Sequence, residues 1–164
     1  MIARLGECHA EGCQQTLCER MKQELRCFSF LSDVELGEIN SYFSCLMLPA
    51  RGHLWRSGDA DDFLAFIISG RIELKVDTEF PGKQVVVGVF SRGAVIGSNS
   101  VLNHHPRTST ARALEDAGLV LLSRESFEAL LAAHPQTGIK LLKGMLLSET
   151  HRLGCAYARL ASIF

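Results

Sequence analysis

The chain has 164 residues, of which 47% are hydrophobic and 21% are charged, so it has the size and composition of one globular domain with its own core. The formal net charge is −1 and no strongly basic run occurs, which argues against a protein that mainly binds a polyanion. No secretory signal is visible, and no apolar stretch approaches the roughly 20 residues that cross a bilayer. We therefore expect a cytoplasmic protein that does not bind nucleic acid directly and does not enter a membrane.

Residues 1–27 form the least typical part of the chain, because they hold four of its six cysteines. These four are Cys8, Cys13, Cys18 and Cys27. From Gln14 onward, the four-residue spacing of Leu17, Met21 and Leu25 predicts a helix. In a cytoplasmic protein, the cysteines are expected to be reduced thiols or metal ligands rather than disulfides.

A second helix is predicted to begin at Ser32, because the segment 32–35 (Ser-Asp-Val-Glu) has the form of a capping box. Its apolar face would comprise Leu36, Ile39, Phe43 and Leu46. Pro49 would end it, since proline cannot continue a helix interior.

Residues 50–122 have the character of a β structure. Helical spacing disappears, and short apolar runs alternate with glycine and proline, which is typical of a barrel or sandwich-like fold. The predicted strands are 63–69, 72–76, 84–90, 94–96, 111–114 and 119–122. Residues 79–83 (Glu-Phe-Pro-Gly-Lys) predict a hairpin turn between two of these strands.

Helical spacing returns at Ser123. A short amphipathic helix with Phe127, Leu130 and Leu131 on one face is expected to stop before Pro135. A longer helix is predicted to begin near Pro135, since proline suits a first helical position.

The long helix carries a heptad pattern. One row, spaced by seven, is Ile139, Leu146, Leu153 and Leu160. A second row, offset by three, is Leu142, Glu149, Ala156 and Ile163, so Glu149 is the polar exception in it. Such a pattern favours a homodimer formed through residues 139–163, and the alternative is a helix that packs on its own β core.

The order helix, β-rich block, short helix and long helix resembles the sensor domain of the bacterial CRP/FNR regulators, within the cyclic-nucleotide-binding superfamily. Residues 58–70 (GDADDFLAFIISG) are similar to the family's signature GDxxDxhhhIxxG, where h is apolar. Gly58 and Gly70 suit turns that a Cβ would obstruct, and Asp59 and Asp62 can accept hydrogen bonds from turn amides. The resemblance implies a mainly β fold with flanking α-helices: a double-stranded β-helix or jelly roll, with N-terminal helices and a long C-terminal helix.

Residues 97–111 (GSNSVLNHHPRTSTA) resemble the family's phosphate-binding cassette, in which GEhAhh is followed by PRxA[ST]. In that family a short helix starts at the Gly-Glu pair, and its amides and an arginine face the cyclic phosphate. The resemblance therefore implies that Arg107 is the phosphate ligand and that Thr108 adds a donor. The implied ligand-binding residues are Gly97, Ser98, Asn99, Ser100, Arg107 and Thr108.

The cassette departs from the family pattern at Ser98, where the family has a glutamate that accepts a hydrogen bond from the ribose 2′-hydroxyl. Losing such a charge-assisted bond typically costs roughly 1.5–3 kcal/mol, which corresponds to about tenfold to a hundredfold weaker cyclic AMP binding. Asn99 and Ser100 also replace small apolar residues. The resemblance implies the fold more directly than it implies the effector, for which cyclic AMP and cyclic GMP are the candidates.

The resemblance covers roughly residues 28–160. The domain organisation it implies is a cysteine-containing helical segment, a cyclic-nucleotide-binding-like β-roll with helices, and a long dimerisation helix, at 1–27, 28–134 and 135–164. The winged helix-turn-helix with which the family reads DNA is absent, since the chain ends at Phe164. We therefore expect no direct nucleic-acid binding, and either a complete sensor or a sensor cut from a regulator.

Other residues are expected to be structural rather than chemical. No nucleophile–base pair, metal motif or cofactor fingerprint is present, so we expect no enzyme and no catalytic residue. An iron–sulfur cluster is not expected, because oxygen-sensing relatives use a β-roll cysteine and residues 52–122 contain none. Trp55 is expected to be a core or edge aromatic, and His104 and His105 to be solvated loop residues.

The sequence thus favours a non-enzymatic sensor in which a small anionic effector binds between the cassette and the long helix. Two alternatives stay open. One is a dimeric interaction module that has lost its ligand, which Ser98 suggests. The other is a sensor fragment of a CRP/FNR-type regulator with redox or metal sensing at the N-terminal cysteines.

Overall fold

The computed structural model describes residues 25–162 except Asp61, Pro81 and His104, and for Arg26, Ser100, Val101 and Arg159 it describes the backbone alone. The helix predicted from Gln14 lies almost entirely outside these residues. Cys8, Cys13 and Cys18 also lie outside the described residues.

The described part of the chain forms eight strands, three α-helices and three single 3-10 turns. The helices are α1 (Asp33–Ile39), α2 (Arg124–Ala133) and α3 (Pro135–Ala161). The strands are β1 (Ser44–Leu48), β2 (His53–Trp55), β3 (Phe63–Ser69), β4 (Arg71–Asp77), β5 (Gln84–Ser91), β6 (Val95–Ile96), β7 (Thr110–Ala113) and β8 (Ala117–Ser123). The 3-10 turns span Arg26–Phe28, Asn40–Tyr42 and Ser98–Val101.

The strands pair into two four-stranded antiparallel sheets, in the orders β1-β8-β3-β6 and β2-β7-β4-β5. Residues of both sheets, such as Ile67 of β3 and Ile72 of β4, belong to one buried cluster. The sheets therefore pack against each other as the halves of a β-roll. Leu64 and Phe66 of β3 belong instead to a second cluster with Leu141 of α3, so the helices cover the outer face of the first sheet. This is the mainly β architecture with flanking helices that the sequence predicts.

Helix α1 begins as predicted but ends early. The Oγ of Ser32 accepts a hydrogen bond from the Glu35 amide at 3.3 Å, and the Glu35 carboxylate accepts one from the Ser32 amide at 2.9 Å, which completes the capping box. The helix then stops at Ile39, and residues 44–48 form β1 rather than the last helical turns, so the sequence prediction is wrong there. The physical reason is pairing with β8, which satisfies the backbone of residues 44–48 and outweighs a weak helical spacing.

The remaining strand predictions agree with the structure to within about two residues at the ends. Strand β2 is the second strand, after β1, that the sequence does not predict. The hairpin between β4 and β5 is confirmed, with the Thr78 amide donating to the Lys83 carbonyl at 2.9 Å and the Lys83 amide donating to Phe80 at 3.1 Å.

Helix α3 packs on the rest of the chain through Leu141 and Met145, with Leu142 of the second heptad row packed against the same cluster. Leu141 and Met145 are buried, and a Cβ on Gly144 would lie 1.8 Å from the carbonyl oxygen of Cys27, so glycine permits this close approach. The row spaced by seven faces away from the core, with its members between 44% and 68% exposed; it comprises Ile139, Leu146, Leu153 and Leu160. No helix among the described residues combines the length and the apolar character that a membrane crossing requires.

Candidate functional site

A cavity of about 370 Å³ lies where the turn Ser98–Val101 meets the second sheet and helix α3. Its lining residues are Trp55, Leu74, Gly97, Ser98, Asn99, Leu102, Arg107, Thr108, Ser109, Glu149 and Arg152. A larger depression of about 550 Å³ at the β4–β5 hairpin is lined mainly by exposed side chains such as Phe80 and Val85. The smaller cavity is the candidate site, because the buried side chain of Arg107 lines it.

Gly97 has the conformation that the cassette requires of a glycine. Its φ is +75°, and a Cβ there would lie 2.5 Å from Nη1 of Arg107 and 3.2 Å from the Trp55 ring. The chain then makes one 3-10 turn rather than the regular short helix of the family pattern. Gly97 thus lets the turn run directly past the Arg107 side chain.

The Arg107 side chain lies against two aromatic rings that are in edge-to-face contact with each other. Its Cζ lies 3.9 Å from the ring centroid of Trp55 and 4.7 Å from that of Phe63. Nη2 donates a hydrogen bond to the Phe63 carbonyl at 2.5 Å, and the residue is only 4% exposed. Cation–π contacts contribute about 2 kcal/mol when desolvated, so they fix the orientation of the guanidinium in the cavity wall.

The GD motif holds the loop that carries Arg107. The Arg107 amide donates to the Asp59 carbonyl at 2.9 Å, and the Gly58 amide donates to the Arg107 carbonyl at 2.8 Å. The Asp59 carboxylate accepts from the Arg56 amide at 2.7 Å. The two sequence motifs are therefore parts of one backbone framework.

Helix α3 contributes a carboxylate to the cavity. Oε1 of Glu149 accepts a hydrogen bond from Oγ of Ser98 at 2.9 Å, and Oε2 accepts one from Nη2 of Arg152. Cζ of Arg152 lies 5.3 Å from the ring centroid of Phe90 on β5. Glu149 therefore connects the cassette with the long helix across 51 residues of sequence.

The structure brings five of the six implied ligand-binding residues to one cavity: Gly97, Ser98, Asn99, Arg107 and Thr108. Ser100 lies in the adjoining turn, where its backbone alone is described. Trp55 is a core aromatic, as expected, but it also lines the cavity. His105 is exposed, and His104 lies outside the described residues.

Sequence reasoning missed Glu149 and Arg152 as members of this cavity. The sequence feature that could have indicated Glu149 is its position as the polar residue in the second, otherwise apolar heptad row. Glu149 interrupts that row because its side chain faces the β-roll of its own chain.

The described cysteines form no cluster. Cys27 is buried, and this burial raises the pKa of its thiol to about 12, whereas Cys45 is partly exposed on β1 and Cys155 is exposed on α3. Between residues 25 and 162, where described, no three His, Cys, Asp or Glu side chains are grouped to hold a metal ion. Sensing by the N-terminal cysteines concerns residues outside this part and stays a prediction.

The family model for the cyclic nucleotide-binding domain matches residues 46–134, which is more than half of the chain. The chain belongs to the cyclic nucleotide-binding domain family. Its resemblance to CRP-type regulators is confirmed, as is the β-roll fold.

Among curated proteins, the cyclic AMP receptor protein of Thermus thermophilus is 29% identical over 108 residues, which cover 66% of this chain and 50% of that protein. Lysophospholipase nte1 of Neurospora crassa is 33% identical over 90 residues, which cover 55% of this chain and 6% of that protein. The chain thus spans half or less of the length of these relatives.

Among solved structures, a cyclic nucleotide-binding domain from Methylobacillus flagellatus superimposes with a TM-score of 0.81 at 24% identity, covering 92% of this chain and 85% of that one. The catabolite activator protein of Thermus thermophilus gives a TM-score of 0.66 at 27% identity, covering 84% of this chain and 63% of that one. The first of these similarities concerns the fold alone.

Proposed function

We propose that this chain is a non-enzymatic, cytoplasmic ligand-sensing domain that binds a cyclic nucleotide or a similar small anionic effector and signals through α3. The observation that carries the proposal is the guanidinium of Arg107, fixed against the rings of Trp55 and Phe63 in the wall of a cavity that α3 also lines. The net charge of −1, without a basic run, supports a domain that does not itself bind nucleic acid.

The cavity suits an anion at its β-roll end. An arginine that is already oriented loses little side-chain entropy when a phosphate binds, and its planar donors match phosphate oxygens. The proposed ligand contacts are Gly97, Ser98, Asn99, Ser100, Arg107 and Thr108. A cavity of about 370 Å³ falls within the range of small-molecule sites.

Signalling would follow from the shared wall of the cavity. A ligand moves α3 only if it binds better to one position of the helix than to another. Because Glu149 and Arg152 of α3 line the cavity with Ser98 of the cassette, a ligand there contacts both elements. We propose that binding shifts α3 and thereby changes a homodimer contact formed through residues 139–163. In this proposal the chain is divided into an N-terminal segment, a β-roll with its helices and the long dimerisation helix, at residues 1–27, 28–134 and 135–164.

The exposed row of α3 supports the homodimer. Its four apolar members are between 44% and 68% exposed in the single chain, and a second copy that pairs along the same row would bury them. The row comprises Ile139, Leu146, Leu153 and Leu160.

A second candidate function is a ligand-free interaction module. One observation favours it, namely that Ser98 and Arg152 both bond to Glu149, so polar groups of the cavity pair with each other. In that case the cavity would serve to lock α3 on the β-roll, and no nucleotide would raise the thermal stability of the protein.

Calorimetric titration with cyclic AMP and cyclic GMP tests the proposal, with Arg107→Lys as the variant. Lysine keeps the charge but loses the planar fork, so we expect at least tenfold weaker binding. Arg71→Lys is the matched control, because Arg71 pairs with Glu115 at the surface and does not line the cavity. Saturable binding that Arg107→Lys leaves unchanged would place the site elsewhere. A wild-type protein that binds neither nucleotide would favour the interaction module.

A further inference from the structure

Three charged side chains line the cavity: Arg107 of the β-roll, and Glu149 and Arg152 of α3, which pair with each other. Arg107 is buried in the β-roll, whereas the carboxylate of Glu149 comes from α3 and is 28% exposed. A carboxylate repels an anionic ligand unless the ligand presents a hydrogen-bond donor to it. The cavity therefore fits an anionic molecule that also carries a hydroxyl or N–H donor near its anionic group, on the side that faces α3.

The Glu149 carboxylate is positioned to accept from such a donor. It already accepts from the hydroxyl of Ser98 at 2.9 Å, and the ion pair with Arg152 holds its other oxygen. An ionised carboxylate has about four lone-pair positions, so these two bonds leave acceptor capacity. The hydroxyl of Ser98 is free to rotate, and it can donate to a ligand oxygen once a ligand hydroxyl replaces it at Glu149.

We infer that Glu149 is the specificity-determining residue of this cavity, accepting a hydrogen bond from a hydroxyl beside the anionic group of the ligand. In a cyclic nucleotide this hydroxyl is the ribose 2′-hydroxyl. The inference rests on the proposed function, and it assigns to α3 the charged acceptor that the cassette lacks at Ser98. Because the carboxylate of Glu149 belongs to α3, the hydrogen bond that selects the ligand also holds α3 against the ligand.

The experiment compares cyclic AMP with its 2′-deoxy analogue by calorimetry. A hydrogen bond to a charged group corresponds to about tenfold to a hundredfold in affinity, so we expect the wild-type protein to prefer cyclic AMP by that factor. Glu149→Ala removes the acceptor and should reduce this preference to about threefold or less. Glu149→Gln keeps the shape and a neutral acceptor, and should give an intermediate ratio.

Two controls separate the possible results. Glu128→Gln changes an exposed glutamate of α2 that does not line the cavity, and should leave the preference unchanged. Arg107→Lys should weaken both nucleotides by a similar factor, which preserves the ratio. A preference that survives Glu149→Ala, or a wild-type protein that binds both nucleotides equally, overturns the role of Glu149 but leaves the proposed function standing. A wild-type protein that binds neither nucleotide overturns both.

Discussion

At the scale of single residues, the candidate site depends on contacts so close that the position of Gly97 has no room for a Cβ atom. Gly97 combines a φ of +75° with a position where a Cβ would meet Arg107 and Trp55. The guanidinium in turn lies against two aromatic rings that are themselves 5.8 Å apart between centroids. Adding one methyl group at Gly97 would therefore displace the guanidinium on which the proposed anion binding depends.

We predict that Gly97→Ala lowers both stability and effector affinity. A Cβ in the left-handed region costs roughly 1–2 kcal/mol, before any clash with Arg107, and for a chain of this size each kcal/mol corresponds to about 2–4 °C of Tm. Gly82→Ala is the matched control, because its φ is +77° but nothing lies within 4 Å of its Cβ. Thermal unfolding should show a larger loss for Gly97→Ala, and titration should show weaker binding for that variant alone. Equal effects of the two substitutions would contradict the close contact.

The cassette residues could be found from sequence, whereas Glu149 could not be assigned to them. Gly97 and Arg107 belong to one short motif, and its resemblance to the family's cassette implies the roles that are proposed for them. Glu149 is 51 residues from Ser98, and their contact depends on how α3 lies across the β-roll. No local pattern encodes that placement, although the polar interruption of an apolar heptad row marks the residue as unusual.

At the scale of elements, short-range signals predicted the boundaries well where they were strong. The capping box at Ser32 and the proline at the start of α3 mark the beginnings of α1 and α3 correctly. The sequence predicts helix where β1 lies, because the apolar residues of 43–46 continue a helical spacing. Pairing with β8, whose partner residues are 69 to 77 positions away in the sequence, decides its conformation, and such non-local pairing cannot be detected in a short sequence window.

An ion pair between α1 and α3 gives a prediction at this scale. Nζ of Lys140 donates to the Glu35 carboxylate at 2.6 Å, and this bond, together with the Ser32 amide, lowers the pKa of Glu35 to about 2. Because the folded state lowers this pKa, the ionised carboxylate stabilises the fold above the ordinary value of about 4.5, and the contribution is lost as the pH falls toward 2.

We therefore expect Glu35→Gln, which retains a capping-box side chain, to be less stable than the wild type in urea at pH 7. The difference should shrink between pH 4.5 and pH 2, where the wild-type carboxylate becomes protonated. Glu128→Gln on the exposed face of α2 provides the comparison. A difference that stays constant across this range would show that the charge of Glu35 does not contribute.

At the scale of the whole molecule, α3 has three faces with three roles. Leu141 and Met145 attach it to the core, Glu149 and Arg152 line the cavity, and the exposed apolar row faces solvent in the single chain. A shift of the helix caused by a ligand at the second face would necessarily move the third. The same element therefore connects the cavity with any surface that a second copy covers.

The exposed row gives the last prediction. Replacing Leu146 and Leu153 together by glutamate places two like charges on the proposed dimer contact, so we expect the variant to sediment as a monomer at concentrations where the wild type is a dimer. Val34→Glu is the control, since Val34 is 71% exposed on α1, outside this row. Because neither leucine is buried in the single chain, thermal unfolding of the variant should remain cooperative. A wild type that sediments as a monomer, or a double variant that remains dimeric, would contradict pairing along this face, and α3 would then transmit binding to a different partner.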